Sequence, residues 1–209
     1  LEQCRAGIYL VDLKEEKTEQ SAVYDGYQAY IPNVMVYNGK VYYVYSYLKE
    51  YMDFSNYEAI FTEEFNQKMM ENICFELWEY DIKTKEQSCI RKGGNYNSIT
   101  MNDGIICVRE SDRATIINCV DGVQKEVSPE VFCNKAVMPY GNCIYFLTDG
   151  ALKAYRVETG EVEDIGTYGV SKLSGVGIVA ITEETVYFMA QHGEEFYLSY
   201  DKFRKGKLD

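Results

Sequence analysis

The chain has 209 residues, 46% of them apolar and 26% charged, which is enough core-forming material for a folded domain and argues against wholesale disorder. Its formal net charge of −12 works against a surface built to neutralise nucleic-acid phosphates or anionic lipid. Twenty tyrosines and only 3 prolines lean towards strands, and no apolar run approaches the roughly 18 to 20 residues of a membrane span, so neither nucleic acid nor membrane insertion is expected.

In chain order, the first recognisable element is "IYLVDLKEEKTEQ", a strand ending at Asp12 with a polar turn after it, in a partial repeat over 5–29. The hairpin "VMVYNGKVYYV" follows, then "LWEYDIKTKEQ", in a repeat over 30–92. The same pair of elements returns as "ITMNDGIICV" with "IINCVDGVQKEV" over 93–130, as "VMPYGNCIYFL" with "LKAYRVETGEVED" over 131–168, and as "AITEETVYFM" with "FYLSYDKFRKGK" over 169–209. The hairpin turns fall at Asn38-Gly39, Asn102-Asp103-Gly104, Gly141-Asn142 and Glu183-Glu184. Three of the four combine Gly with Asn or Asp, the residues that accept positive φ in tight turns. From Val41 to Ile105, Ile144 and Val186 the steps are 64, 39 and 42 residues, and the long first step points to one insertion over 48–73.

A unit of about 40 residues with four short strands is the signature of a propeller blade. Runs such as Val41 to Tyr45 and Ile144 to Leu147 are apolar at consecutive positions, so both faces of each sheet need cover, as blades provide by stacking. A β-sandwich is the competitor, and it gives no reason for one strand order to recur. The expected fold is all-β, a propeller-like array of about four four-stranded blades in one domain, plus the N-terminal partial repeat and one helical insertion. Either the N-terminal copy completes the last blade and closes a small ring, or the chain is an arc that could self-associate through its open ends.

At "NGKVYY" followed by "LWEYDIKTKE", and again at "LKAYRVETGE", the chain resembles bacterial β-propeller repeats of kelch-like and PQQ-like texture. The resemblance implies architecture, and no functional residue is carried over with it. The Gly-Gly pair of kelch repeats is absent after Val44, Val108, Leu147 and Met189, and the repeated Trp of the PQQ enzymes is missing, since Trp78 stands alone.

Within the insertion, Tyr57, Ile60, Phe61, Phe65, Met69 and Ile73 fall three or four apart, which predicts a helix over 56–72 with Ser55 as N-cap and Glu58 completing a capping box. Aromatic residues gather there, and Tyr47, Tyr51, Phe54, Tyr57, Phe61 and Phe65 form the candidate partner-binding surface, because insertions in a repeated scaffold are where contacts are most readily added. From Lys49 to Glu79 eight acidic residues face two lysines, which reads as a solvated face.

No residue is singled out as catalytic, cofactor-binding or metal-ligating, and no cofactor is expected. The lone His192, beside Glu194 and Glu195, reads as loop chemistry in the turn between the second and third strands of the last repeat. Asp12, Asp81 and Asp201 recur after a third strand and read as turn formers. Seven cysteines contain no C-x-x-C pair, and a turn around Asp112 to Ala114 would set Cys107 and Cys119 across a hairpin from each other as packed thiols.

The reading that follows is a non-catalytic binding or scaffolding propeller for a protein or carbohydrate partner. The alternative is an enzyme or ligand-sensing domain that uses the propeller channel on polysaccharide or peptide. Because the sequence starts at Leu1, a targeting segment could have been removed, which would put the chain outside the cytoplasm or at a cell surface. Reduced thiols would instead point to the cytoplasm.

Overall fold

The computed structural model describes residues 4–94, 96–110, 113–132, 137–148, 151–167, 173–192 and 198–204. They divide into two compact units, Leu1–Ile99 and Thr100–Asp209, and the fold is mostly antiparallel β. In the first unit, β1 (Cys4–Asp12), β2 (Lys17–Tyr30), β3 (Val34–Tyr37), β4 (Lys40–Leu48), β5 (Ile73–Asp81) and β6 (Gln87–Gly94) form one sheet in the order β1-β2-β4-β5-β6, with β3 also on β4. Both β2 and β3 line the same edge of β4, from Tyr27 opposite Leu48 to Tyr37 opposite Lys40. Pro32, which has no N–H to give a ladder, interrupts them, and the Asn33 carbonyl resumes the pairing by accepting from the Val44 N–H at 3.1 Å.

A bend at Gln28, with φ +49, lets the β1–β2 hairpin fold across the face of β4 and β5. Ile8 and Ala22 of the hairpin share a core with Val41, Tyr43 and Tyr80 of the sheet. On the opposite face Tyr42, Val44, Ser46, Phe75 and Leu77 are buried, and the ring of Tyr96 meets Phe75 edge-on at 5.0 Å. Both faces of β4 are therefore covered, as its consecutive apolar residues require.

The second unit repeats this plan. β7 (Tyr96–Asn102), whose first four residues belong to the first unit, β8 (Ile105–Glu110), β9 (Ala114–Asn118) and β10 (Gln124–Val127) make one sheet, and β11 (Val137–Tyr140), β12 (Cys143–Thr148), β13 (Ala151–Arg156) and β14 (Val162–Thr167) the next. A third holds β15 (Leu173–Ile181), β16 (Thr185–His192) and β17 (Leu198–Arg204). The sheets stack: Ile105, Cys107, Ala114 and Ile116 share a core with Val137, Ile144, Phe146 and Tyr155, and Phe132 of the short α2 (Pro129–Phe132) is wedged edge-on against Phe146 and Tyr155. Leu147 and Leu152 in turn pack with Ile181 and Val186.

Two hydrogen-bonded devices recur from sheet to sheet. The carbonyl of the first hairpin turn accepts from the N–H that follows the third strand, in Gly39 with Ile82, Gly104 with Cys119 and Asn142 with Val157. The turn after the third strand is also the same in each case. Its fifth residue has positive φ, at Glu16 (+54), Lys85 (+65), Gly122 (+72) and Gly160 (+80). Its first residue, where it is Asp12, Asp81 or Asn118, accepts backbone N–H groups of the turn on its side-chain oxygen.

Five local expectations are corrected by these registers. The insertion's helix starts seven residues later than predicted: a 3-10 turn at Ala59–Phe61 precedes α1 (Glu63–Asn72). Thr62, not Ser55, is its N-cap, because Asn56 and Thr62 hold the preceding turn through Ala59 while the Ser55 N–H is engaged by Asp53. Asp201 lies inside β17 opposite Phe188, and the position matching Asp81 is Arg204, since Thr185 pairs with Arg204 as Lys40 pairs with Asp81. Ile106, not Ile105, matches Val41 by the same criterion, because Lys40 and Ile105 are the residues that follow the turn glycines. Cys107 lies opposite Ile116, which leaves Cys119 three positions away, and no disulfide joins them. Burial pushes the Cys107 thiol up to about 12, with Arg109 opposing the shift. His192 is the last residue of β16, paired with Leu173, and not part of a turn, while Glu194 and Glu195 lie outside the described residues.

Replacing Glu16 by Gly is expected to raise stability by about 0.5–1 kcal/mol, because the left-handed conformation there is strained for a side chain, and two equivalent turns already use Gly; urea unfolding would show no gain if the turn were unstrained. The Asp12 and Asp81 carboxyls are held below the usual aspartate range by hydrogen bonds from turn N–H groups. A folded-state value below the unfolded one gives stability that is present above the unfolded pKa of about 3.9 and lost as pH falls through the lowered value. Asn at both positions should flatten the acid limb below about pH 4 yet cost little near neutrality, as the amide oxygen of Asn118 makes the same turn. Urea midpoints against pH would test this, and an unchanged acid limb would contradict it.

Candidate functional site

The insertion leaves the first sheet between β4 and β5, and its base is an extension of their ladder. That ladder is unbroken from Lys40 opposite Asp81 to Leu48 opposite Ile73. One step further the Lys49 N–H donates to the Asn72 carbonyl at 3.1 Å. The Asn72 side chain, buried at the end of α1, then stands in for one more strand residue: its Oδ1 accepts the Glu50 N–H and its Nδ2 donates to the Glu50 carbonyl, both at 2.8 Å. Lys49 Nζ donates to the Glu71 carbonyl, and an open cavity of about 220 Å³ is lined by Lys49, Glu50, Lys68, Glu71 and Asn72. A second tether lies at Met52, which is buried and whose carbonyl accepts from Gln28 Nε2 at 3.0 Å.

Beyond these tethers the chain turns its aromatic residues outward. Tyr57 is 73% exposed, Phe61 68%, Tyr51 43% and Phe54 41%. They are arranged in edge-on contacts: Tyr57 with Phe61 at 4.9 Å and 72°, Phe54 with the half-buried Phe65 at 5.2 Å and 84°, and Tyr51 with Tyr27 at 6.3 Å. The late start of α1 causes this exposure. A helix running from residue 56 would have turned Tyr57, Ile60 and Phe61 to the same side as Phe65, whereas the 3-10 turn and the Thr62 cap break that stripe.

Tyr47 has a different place from the other five candidate residues. It lies on the sheet face and stacks on Tyr45 at 4.9 Å, and Tyr45 stacks on Tyr24 at 4.4 Å. The Tyr24 and Tyr43 hydroxyls are 2.8 Å apart, and burial pushes both phenols up from their usual value. Beside this stack Glu76 accepts from Trp78 Nε1 at 2.9 Å and from Lys92 Nζ at 2.8 Å, and Lys92 lies 5.8 Å from the Trp78 ring centre. Burial and then the Glu76 charge raise the Tyr47 phenol. Asn72 carried no signal in the sequence: a terminal Asn reads as a helix end, and its service to Glu50 is visible only once β4 and β5 are paired.

Among the described residues no group of three His, Cys, Asp or Glu side chains is placed to hold a metal ion. No family model matches the chain, and no curated protein does. Solved structures do. TolB from Acinetobacter baumannii is 10% identical over 95% of this chain and 46% of its own, with a TM-score of 0.56. The β-propeller domain of the Trilobed protease from Pyrococcus furiosus, described as having an open velcro topology, is 12% identical over 96% of this chain and 61% of its own, also at 0.56. An oligogalacturonate lyase in complex with manganese is 16% identical over 87% of this chain and 56% of its own, at 0.52. The chain thus has the β-propeller fold and spans about half the length of the propeller structures it matches. At these identities the likeness concerns the fold alone.

Asn72→Ala removes both partners of the Glu50 peptide, at a cost of about 1–3 kcal/mol for the groups left unpaired. Amide exchange over residues 49–72 should accelerate while that of the ladder from Lys40 to Leu48 stays slow. Equal acceleration in both would show that the insertion is not separately tethered.

Proposed function

We propose that the chain is a non-catalytic binding module, a propeller scaffold whose insertion over 49–72 presents the contact surface for a protein partner. The observation that carries this reading is the exposure of Tyr51, Phe54, Tyr57 and Phe61 within a segment anchored at both ends. Exposed aromatic groups on an ordered base lose little conformational freedom on binding, and each ring fully covered is worth about 1.5–3 kcal/mol of apolar burial. Clusters of this kind mark interaction surfaces.

A protein partner fits better than a carbohydrate. Sugar rings stack on flat platforms, and the Tyr57–Phe61 and Phe54–Phe65 pairs are edge-on, which leaves clefts between rings that suit aliphatic or aromatic side chains. Two of the four exposed rings are phenylalanines, with no hydroxyl to offer a glycan.

The triple variant Phe54→Ala/Tyr57→Ala/Phe61→Ala tests the reading. A partner identified by its co-purification with the wild-type chain, then titrated in pure form, should bind the variant at least about 100-fold more weakly, at about 1–2 kcal/mol per ring. The variant's unfolding midpoint should stay close to wild type, since none of the three rings belongs to the described cores. Undiminished binding by a folded variant would overturn the assignment of the surface.

A further inference from the structure

The charge around these rings points to the chemistry of the partner. Residues 49–72 carry six carboxylates, Glu50, Asp53, Glu58, Glu63, Glu64 and Glu71, against Lys49 and Lys68. All six are exposed, and none forms an ion pair among the described residues. Asp53 accepts from Ser55 and Glu71 from Gln67, both neutral groups. Elsewhere in the first unit comparable carboxylates are matched, Asp25 by Arg5, Glu19 by Lys85, Glu76 by Lys92 and Glu79 by Lys40. Among the described residues Asp12, Glu16, Asp81 and Glu86 of that unit form no ion pair either, so what sets the insertion apart is that all six of its carboxylates lack one.

The carboxylates alternate with the rings along the chain: Glu50 and Asp53 flank Tyr51, Glu58 follows Tyr57, and Glu63 and Glu64 come just after Phe61. Glu63 and Glu64 occupy the first turn of α1, where a helix accommodates negative charge. We propose that the insertion receives a cationic segment of a partner protein, with Lys or Arg side chains set around an aliphatic or aromatic anchor; this rests on the reading that the insertion is the contact surface. The anchor enters between the rings, and the flanking cations meet the carboxylates and the ring faces. The chain already uses the second of these contacts internally, with Lys92 5.8 Å from the Trp78 ring and Lys125 5.6 Å from that of Tyr155. Phosphate-bearing ligands meet repulsion from the same six carboxylates.

Fluorescence anisotropy with the 209-residue protein and three labelled peptides tests this. The first alternates Lys and Arg with Leu and Trp; in the second every cation is replaced by Glu, and in the third by Gln. The cationic peptide should bind at least about tenfold more tightly than either of the others, and should weaken as salt is raised from about 0.05 to 0.3 M. Glu58→Gln/Glu63→Gln/Glu64→Gln should weaken it about tenfold, and so should the triple alanine variant of the rings. Glu158→Gln/Glu183→Gln/Glu184→Gln removes the same charge from exposed positions in the second unit and should leave binding unchanged. Equal weakening by the two glutamine variants would reduce the effect to net charge and overturn the proposal, as would no preference for the cationic peptide or no binding of it below about 1 mM. If partner binding is lost with the rings but peptide binding ignores charge, the insertion remains the contact surface and only the cationic partner falls. If ring removal affects neither partner nor peptide, both readings fall.

Discussion

Burial of the middle strands on both of their faces decides how these sheets can exist in water. In β4, β8 and β12 successive residues are apolar, and residues on both faces are withdrawn from water: Val41 with Tyr42, Ile106 with Cys107, Phe146 with Leu147. Such a strand cannot be half of a one-sided sheet. Each exposed face would leave several large side chains in water at about 1.5–3 kcal/mol apiece, so each sheet is stable only when covered on both sides. Stacking meets that demand within the second unit, where one core runs from Ile105 to Tyr155 and another from Leu147 to Val186. In the first unit part of the cover comes from the folded-back β1–β2 hairpin.

Within each sheet the recurring bond between hairpin turn and third strand fixes where the strand pairing ends. Gly39 with Ile82, Gly104 with Cys119 and Asn142 with Val157 tie the same two points in successive sheets. Neighbouring turns are joined as well: Asp103 Oδ2 accepts from the Gly141 N–H at 2.7 Å, and Asn102 Nδ2 donates to the Pro139 carbonyl at 2.9 Å. Asp103 thus serves twice, through the positive φ it tolerates and through the adjoining turn it holds.

The positive φ demanded at these turns explains why the blade repeat was legible in the sequence. Asn38-Gly39 and Asp103-Gly104 both adopt positive φ at two consecutive residues, a demand that few residue pairs meet and that therefore leaves a mark in the text. Features set by long-range pairing left none. The dipeptide Tyr200-Asp201 reads like Tyr80-Asp81, yet the pairing of β16 with β17 gives the turn position to Arg204. Ser55 and Glu58 spell a capping box as well as any helix start does, and the decision went to Thr62 because the side chain of Asn56 had already taken up the Ala59 N–H. Of the candidate site, the aromatic composition was legible, while the outward direction of Tyr57 and Phe61 depends on that displaced cap.

The way Asn72 closes the base of the insertion bears on how such a surface can change over generations. Its side-chain amide keeps the two ends of the excursion abreast whatever lies between them. With the ends already fixed, lengthening the path between them is opposed mainly by loop-closure entropy, which grows only logarithmically, by about 0.6 kcal/mol for each doubling. Apart from the buried Met52, mutational drift from Tyr51 to Glu71 is thereby decoupled from the blade beneath it. The scaffold can keep its sequence under the demands of packing while most of the excursion is rewritten, with Asn72 and the buried Met52 as the positions in it tied to the sheet.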